Sequence, residues 1–393
     1  MDKVFELYVM DKDQNIRSAS LTLPASMHEL TDALDQTGAE SVREMYFEVE
    51  ESCRGEFLAD VLEDSITLPE LNILAWRIAE MDEGQEAVLE GLVKMEAKKQ
   101  DSGRLPYLKL LQLTENTDCC HWVPQARNDS QLGRFYAENG FVDGVDDLPD
   151  KLFELLDFEK IGRETRLAEG GVFTKDSGYV VRHTELRELT KTPDLTLRDP
   201  LYTIALEIRK AGEENGPWLT VELPLLEGKL EEFQERFPRE EYTYSCIDCA
   251  VPFFGEYISG ADAELRDINE LARMMDFALA RGELAKYKAI LLATGCQDVE
   301  LAAELGEQRS MVEYRFLPYQ GENGPEDYAR KKLGQDASLL PGQSLVELGR
   351  RLMERDHVAQ TNYGPIQRVD VQPIQRFDLE RTPDFQMGGM GGM

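Results

Sequence analysis

The second half of the chain repeats, in the same order, short patterns that occur in the first half. Asn72 is followed by x-Leu-Ala, for example, and so is Asn269. The matching pairs are residues 5–9 and 202–210, 20–24 and 218–224, 43–51 and 240–248, 69–78 and 266–275, 121–137 and 315–331, and 161–163 and 348–350. Recurrence in one order along the chain is the signature of a duplicated unit. The sequence therefore predicts two tandem copies of one unit.

Hydrophobic periodicity predicts the elements of the first copy. The predicted strands are 4–9, 18–24 and 44–50, and the predicted helices are 27–34, 68–81, 85–98 and 129–139, with one or two more over 148–166. A hairpin or turn covers 170–183. Asp129 or Ser130 is expected to cap the fourth of these helices. The predicted fold class is α+β, with two tandem repeats in an elongated particle. Each repeat has a small antiparallel sheet module, a helical module and a mixed α/β third module.

The module boundaries follow from composition changes and from the matched segments. The predicted sheet, helical and third modules are 1–60, 61–103 and 104–183 in the first copy and 200–258, 259–295 and 296–368 in the second, with a linker at 184–199 and a tail at 369–393. The tail ends in QMGGMGGM, which has little that can pack. We expect it to be flexible.

Net charge limits the possible functions of this chain. It has 76 Asp and Glu against 43 Lys and Arg, which gives a formal net charge of −33. Such an excess argues against direct nucleic-acid binding, because nothing offsets repulsion from phosphates. At the duplex density of about one charge per 1.7 Å, these charges would cover roughly 56 Å of DNA. A protein of this kind can present a field similar to that of DNA.

The chain lacks the sequence signals of a membrane or secreted protein. No apolar run reaches the ~18 residues of a transmembrane helix, and the first residues have no signal-peptide pattern. A cytoplasmic location is therefore expected. Cys246 and Cys249 form a CxxC in a predicted strand. Cys119, Cys120 and His121 could supply further ligands to a zinc site. Without a second CxxC, the spacing favours buried, reduced thiols and no metal.

The stretch DFEKIGRETRLAEGGVFTKDSGYVV at 157–181 is specific but holds no nucleophile and no phosphate-binding loop. It resembles the C-terminal motif of the ArdA antirestriction family. The positions in register are Asp157, Glu159, Gly162, Arg163, Glu164, Gly171, Phe173, Thr174, Gly178 and Tyr179. LNILAWRI, ELYVMD and SLTLP resemble the middle and opening regions of the same family. The second copy keeps only Gly349, Arg350, Tyr363 and Gly364.

The resemblance implies a non-enzymatic protein of mobile elements and phages that uses no cofactor. Family members are elongated, dimerise through the third module, and imitate bent B-form DNA. They occupy the DNA groove of type I restriction-modification enzymes. Independently, carboxylates four residues apart on a helix lie about 6 Å apart along its axis, which suits imitation of a phosphate backbone.

Three groups of carboxylates are the candidates for contact with such a partner. They are Glu80, Asp82, Glu83, Glu86 and Glu90 in the first helical module, Asp143, Asp146, Asp147, Asp150, Glu154, Asp157, Glu159 and Glu164 around the motif, and Glu231, Glu235, Asp262, Asp267 and Glu270 in the second copy. Within the motif, Phe173 and Tyr179 are expected to pack and Arg163 to form a structural ion pair. If the protein is a homodimer, two chains would pair through the interface candidates Leu155, Phe158 and Ile161 of their first copies.

Other functions remain compatible with the sequence. An acidic DNA mimic could instead block another DNA-binding defence system, such as a CRISPR effector, or antagonise a transcriptional regulator. A hydrolase with paired carboxylates has less support, because no His-rich or metal-spaced cluster stands out. The oligomeric state is also open between a homodimer and an intramolecular pseudo-dimer.

Overall fold

The computed structural model describes residues 2–11, 17–145, 148–189, 191, 193–195, 197–213, 216–318 and 323–378. Within these residues the chain is mixed α+β. The strands are β1 Phe5–Asp11, β2 Ser18–Leu23, β3 Met45–Ser52, β4 Cys120–Val123, β5 Val172–Phe173, β6 Tyr179–Arg182, β7 Ile204–Lys210, β8 Trp218–Leu223, β9 Tyr242–Cys249, β10 Tyr314–Phe316 and β11 Ile366–Arg368.

The helices of the same residues are as follows. They are α1 Met27–Thr37, α2 Leu68–Ala79, α3 Glu83–Ala97, α4 Tyr107–Thr114, α5 Asp129–Glu138, α6 Asp150–Phe153, α7 Phe158–Glu169, α8 Glu227–Arg236, α9 Gly255–Gly260, α10 Leu265–Ala280, α11 Leu284–Thr294, α12 Val299–Gly306, α13 Gln308–Met311, α14 Gly324–Leu333 and α15 Gly342–Arg355. The strands and helices predicted for the first copy are confirmed with boundary shifts of a few residues, and the predicted span 148–166 holds two helices, α6 and α7. The hairpin predicted at 170–183 is the antiparallel pair β5–β6.

The strands form small sheets of two or three strands. One sheet has the order β2-β1-β3 and another the order β8-β7-β9, so the first strand in sequence is central in both. A third sheet has the order β4-β6-β5, and β10 pairs with β11. In the β7 sheet, Ile204 pairs with Leu223 and Ile208 with Leu219, which places the apolar residues on one face. The antiparallel pairing of β4, β7 and β10 agrees with the predicted class.

The chain divides into two compact units. The first unit contains the residues up to Tyr8, Ser20–Ala25 and Phe47–Leu197, and the second unit contains Val9–Ala19, Ser26–Tyr46 and the chain from Arg198 onward. Helix α1 therefore belongs to the second unit, although the sequence assigns it to the first copy.

A buried lysine on α11 holds α1 in the second unit. The Nζ atom of Lys288 lies 2.7 Å from Asp32 and 2.8 Å from Asp35, both on α1. The hydroxyl of Tyr363 donates to the same Asp32 carboxylate at 2.8 Å. Removal of one partner from a buried pair leaves an uncompensated charge, which costs several kcal/mol. This cluster therefore fixes α1 against the second unit.

Two asparagines make the same contact in the two units. Asn72 on α2 accepts a hydrogen bond from the N–H of Ala25 at 2.7 Å and donates to its carbonyl at 2.9 Å. Asn269 on α10 accepts from the N–H of Leu225 at 2.6 Å and donates to its carbonyl at 3.2 Å. Each amide side chain thus satisfies two backbone groups just after the second strand of its sheet. The preceding peptide bonds, Leu23–Pro24 and Leu223–Pro224, are both cis.

Helices α5 and α7 cross at a pair of glycines. A Cβ atom on Gly162 would lie 1.8 Å from the carbonyl oxygen of Asp129, and one on Gly133 would lie 1.9 Å from that of Phe158. Helices α14 and α15 cross in a similar way, since a Cβ on Gly349 would lie 1.7 Å from the carbonyl oxygen of Pro325. Only glycine permits this approach of one backbone to another.

Three sequence expectations need correction. Helix α5 is capped by Asn128, not by Asp129 or Ser130, and its Oδ1 accepts from the N–H of Gln131 at 3.0 Å. The start of the predicted linker is bound, because Asn116 accepts from the N–H of Arg187 at 2.8 Å. The first part of the predicted tail also packs, since Phe377 donates its N–H to the carbonyl of Thr294 at 2.8 Å. Residues 379–393 lie outside the described residues.

Alanine at either glycine crossing is expected to destabilise its helix pair. Gly162→Ala and Gly349→Ala should each lower the free energy of unfolding by about 1–3 kcal/mol, because the helices must move apart. Gly228→Ala in α8 is the matched control, since its Cβ would meet open space. Urea unfolding of the three variants measures the effect. Wild-type stability of Gly162→Ala would contradict the close crossing.

Candidate acidic interaction surface

A set of carboxylates is exposed and has no hydrogen-bond or ion-pair partner among the described residues. From the sequence-predicted candidates, this set comprises Glu80, Glu83, Asp143, Asp150, Glu231, Glu235 and Asp262. They lie on or next to helices α2, α3, α6, α8 and α10. Their charge is directed to solvent and is not neutralised locally. These side chains can meet a cationic partner without breaking an internal contact.

Other predicted candidates are exposed but already take part in local contacts. Asp82 caps α3 by accepting from the N–H of Gln85 at 2.8 Å, and Asp157 caps α7 by accepting from Lys160 at 3.0 Å. An anionic cap is favourable at a helix N-terminus because the helix dipole is positive there. Both residues therefore stabilise their helices and still present charge to solvent.

Ion pairs hold the remaining exposed candidates. Glu154 contacts the guanidinium of Arg134 at 2.6 and 3.2 Å, and this contact lowers the pKa of Glu154. Looser pairs at 3.5–3.9 Å join Glu159 with Arg163, Glu164 with Lys160 and Glu270 with Arg273. The pair of Arg163 with Glu159 agrees with the structural role expected for that arginine. Exposed pairs of this kind contribute at most about 1 kcal/mol and exchange readily.

Glu90 is not part of the surface, which corrects the prediction for that residue. It is buried on α3, where it contacts Nζ of Lys94 at 2.5 Å and accepts from the N–H of Lys175 at 2.6 Å. The carboxylate thus ties α3 to the loop between β5 and β6. Glu86 is half-buried and pairs with Arg54 at 2.8 Å. Spacing along α3 groups these residues together, but the packing of the hairpin on α3 separates them.

The remaining candidates divide among exposed, buried and undescribed positions. Asp267 is half-buried, and the predicted Asp146 and Asp147 lie outside the described residues. Leu155 is 79% exposed, as an interface residue should be, and Ile161 is partly exposed.

Phe158 is buried, which corrects its assignment as an interface candidate. Its ring packs 5.3 Å from that of Phe153, and the guanidinium of Arg134 lies 4.7 Å from its centre. Phe158→Asp would therefore disturb the core and would not report on an interface.

The motif at 157–181 is mainly a packing device. Phe173 and Tyr179 are packing residues, as predicted: their rings are tilted by 56° with centres 5.4 Å apart, and Tyr179 is fully buried in the sheet β4-β6-β5. The Tyr179 hydroxyl donates to Glu169 at 3.2 Å, and burial raises the pKa of this tyrosine. Exposed acidic residues of the motif, among them Glu159, Glu164 and Asp176, remain available to a partner.

Every buried carboxylate among the described residues has a lysine partner. Asp32, Glu90, Glu96 and Asp356 are buried, and they contact respectively Lys288, Lys94, Lys99 with Lys109, and Lys332. Burial alone would raise the pKa of Glu96, but hydrogen bonds from Lys99 and Lys109 lower it. The sequence did not predict these pairs. Most of their members are far apart along the chain, and many other carboxylates are equally plausible partners for each lysine.

Other kinds of site find little support in the geometry. In the part of the chain that the structure describes, no group of three His, Cys, Asp or Glu side chains is arranged to hold a metal ion. The six cysteines are unpaired, and Cys119, Cys249 and Cys296 are buried. None of the described helices is long and apolar enough to span a membrane.

Comparison with known proteins adds no assignment. No protein-family model matches the chain, and no curated protein sequence matches it. The similarity to the ArdA motif therefore remains a resemblance.

Glu90→Ala is expected to destabilise the first unit, because it removes a buried carboxylate that accepts from the partly buried N–H of Lys175 and pairs with Lys94. Such a loss costs about 1–3 kcal/mol. Glu83→Ala on the same helix is the matched control and should stay within about 0.5 kcal/mol of wild type. Hydrogen exchange of the Lys175 amide measures the effect directly. Unchanged protection of that amide in Glu90→Ala would refute the structural role.

Because the pKa of Asp356 is lowered, we expect the region around α14 and α15 to lose stability in acid. Burial would raise its pKa, but hydrogen bonds from Lys332, Tyr328 and Arg355 lower it to about 2. The unfolded carboxyl has a pKa of about 3.9, so the stabilisation is present above pH ~4 and is lost as the pH falls to ~2. Asp356→Asn should therefore lower stability by up to about 2 kcal/mol at pH 6 and by much less at pH 2.

Hydrogen exchange of the α14 and α15 amides, compared between wild type and variant at each pH, measures this difference. Asp143→Asn, at an exposed residue that has no partner in the described part of the chain, is the control and should show no such dependence. An equal loss of protection at both pH values in Asp356→Asn would show that the charge of the carboxylate is not what stabilises the helices.

Proposed function

We propose that this protein is an acidic DNA mimic that occupies the DNA-binding groove of a type I restriction-modification enzyme. The observation that carries the proposal is the division of its carboxylates. Those that are buried have lysine partners, whereas many exposed ones have no partner among the described residues. Charge that is left unpaired at a net of −33 repels DNA and attracts a protein surface built to bind phosphates.

Two tandem repeats are part of the same proposal. The similar contacts of Asn72 and Asn269, each with the segment after the second strand of its sheet, support it. The similar helix crossings at Gly162 and Gly349 support it as well. In this proposal the second copy keeps the asparagine contact and the glycine helix crossing of the first copy, although most of the motif residues have changed. The resemblance to the ArdA family provides the choice of a type I enzyme as the target.

Binding to a purified type I restriction-modification enzyme tests the function. We expect the complex to weaken as salt rises and to be displaced by duplex DNA that carries the recognition site, because the two ligands would share one cationic groove. Titration calorimetry or fluorescence anisotropy at several salt concentrations gives both results. Absence of binding at low salt would refute the proposed target. Capture of a CRISPR effector or a transcriptional regulator in its place would support mimicry with another partner.

A charge-neutralising variant provides the second part of the test. Glu80→Gln, Glu83→Gln, Asp143→Asn and Asp150→Asn together remove four exposed charges without breaking an internal contact. We expect about tenfold weaker binding, since each exposed pair contributes roughly 0.2–1 kcal/mol. Lys151→Gln with Lys229→Gln is the control, because it makes the surface more negative and should not weaken binding. Equal weakening by both variants would contradict an electrostatic interface.

A further inference from the structure

The second unit contains a groove that shares only Asp262 with the predicted groups of carboxylates. Its cavity volume is about 550 Å³. Three segments form it: the turn after α9 at residues 260–263, the start of α12, and the chain near Phe377. The hydrogen bond from the Phe377 N–H to the Thr294 carbonyl fixes the last of these segments. The groove is therefore a built feature of this unit, and its size falls in the range of roughly 300–1,000 Å³ that is usual for ligand pockets.

The rim of the groove is acidic. Its charged lining residues are Glu256, Asp262, Asp298, Glu300 and Asp378, and neither lysine nor arginine lines it. Asp298 caps α12 by accepting from the N–H of Leu301, and Asp378 pairs with Arg376. The other three carboxylates have no partner among the described residues. A cationic group that enters the groove gains both hydrogen bonds and charge neutralisation from the rim, whereas an anionic group is repelled.

The inner wall of the groove is apolar and aromatic. Tyr257, Leu301 and Phe377 line it, and all three are partly buried against the core of the second unit. A hydrated ammonium group gains little from such a wall, because it holds its water strongly. A guanidinium is flat and weakly hydrated, so it can stack on an aromatic ring while its N–H groups reach carboxylates. The combination of wall and rim favours arginine over lysine.

We infer that this groove binds an arginine side chain presented by the partner enzyme. The inference rests on the proposed function and extends it to the second unit. DNA-binding surfaces commonly contact phosphates and bases through arginine. The aromatic wall would stack on one such side chain, and the acidic rim would neutralise its charge. The groove would thereby add a specific contact to the general electrostatic attraction of the exposed carboxylates. The second unit would then bind through a concave site where the first unit presents charged helices.

The test uses the full chain and two peptide probes, acetyl-Gly-Arg-Arg-Gly-amide and its Lys-Lys counterpart, followed by calorimetry. We expect the arginine peptide to bind at least threefold more tightly than the lysine peptide. Glu256→Gln with Glu300→Gln should weaken arginine-peptide binding at least fivefold, and Tyr257→Leu should remove the preference for arginine. Glu231→Gln with Glu235→Gln is the control, because it removes the same charge from the same unit outside the groove.

Equal affinity for the two peptides, or equal weakening by the groove and control variants, would overturn the inference. Thermal unfolding of each variant checks that the fold is intact, and Phe377→Leu serves as a second wall variant if Tyr257→Leu unfolds. Binding of the same variants to the type I enzyme separates the two proposals. Groove-dependent peptide binding without enzyme binding would refute the proposed function alone. Enzyme binding that the groove variants leave unchanged would refute the groove's role.

Discussion

A carboxylate can be buried at low cost only beside a cation, and in the described residues each buried carboxylate has a lysine partner. Asp32, Glu90, Glu96 and Asp356 are buried, and each has at least one lysine within ion-pair distance. An unpaired carboxylate in the interior would cost several kcal/mol, so these pairs fix which elements can pack together. Lys288 holds α1 in the second unit, and Glu90 holds the β5–β6 loop on α3. With cations engaged inside, much of the negative excess is left at the surface.

That division connects stability to the proposed activity. The interior pairs keep the elements in place although the chain repels itself through its net charge. Exposed carboxylates such as Glu80, Glu83 and Asp150 have no partner among the described residues, and a cationic partner can neutralise them without breaking an internal contact. Glu83 and Glu90 show the contrast within one helix, since the first faces solvent without a partner and the second is buried against two donors. Acidic residues close in sequence thus have different roles.

Much of the secondary structure could be predicted from the sequence, because periodicity and capping act locally. The helix over Leu68–Ala79 follows from the spacing of its apolar residues and from Pro69 in its first turn. The antiparallel hairpin β5–β6 and the packing roles of Phe173 and Tyr179 were also predictable. The cap of α5 was not, because Asn128, Asp129 and Ser130 are all suitable cap residues and backbone geometry alone selects one.

The sequence by itself determined the charge excess, the α+β class, most element positions and the candidate acidic residues, since each follows from composition or short-range pattern. Tertiary structure alone decided which candidates are surface groups. It buried Glu90 and Phe158, placed α1 in the second unit through Lys288, and assembled an acidic groove from segments near residues 257, 300 and 377. The physical reason is that burial and pairing depend on contacts between residues far apart in sequence, and no local pattern specifies those contacts.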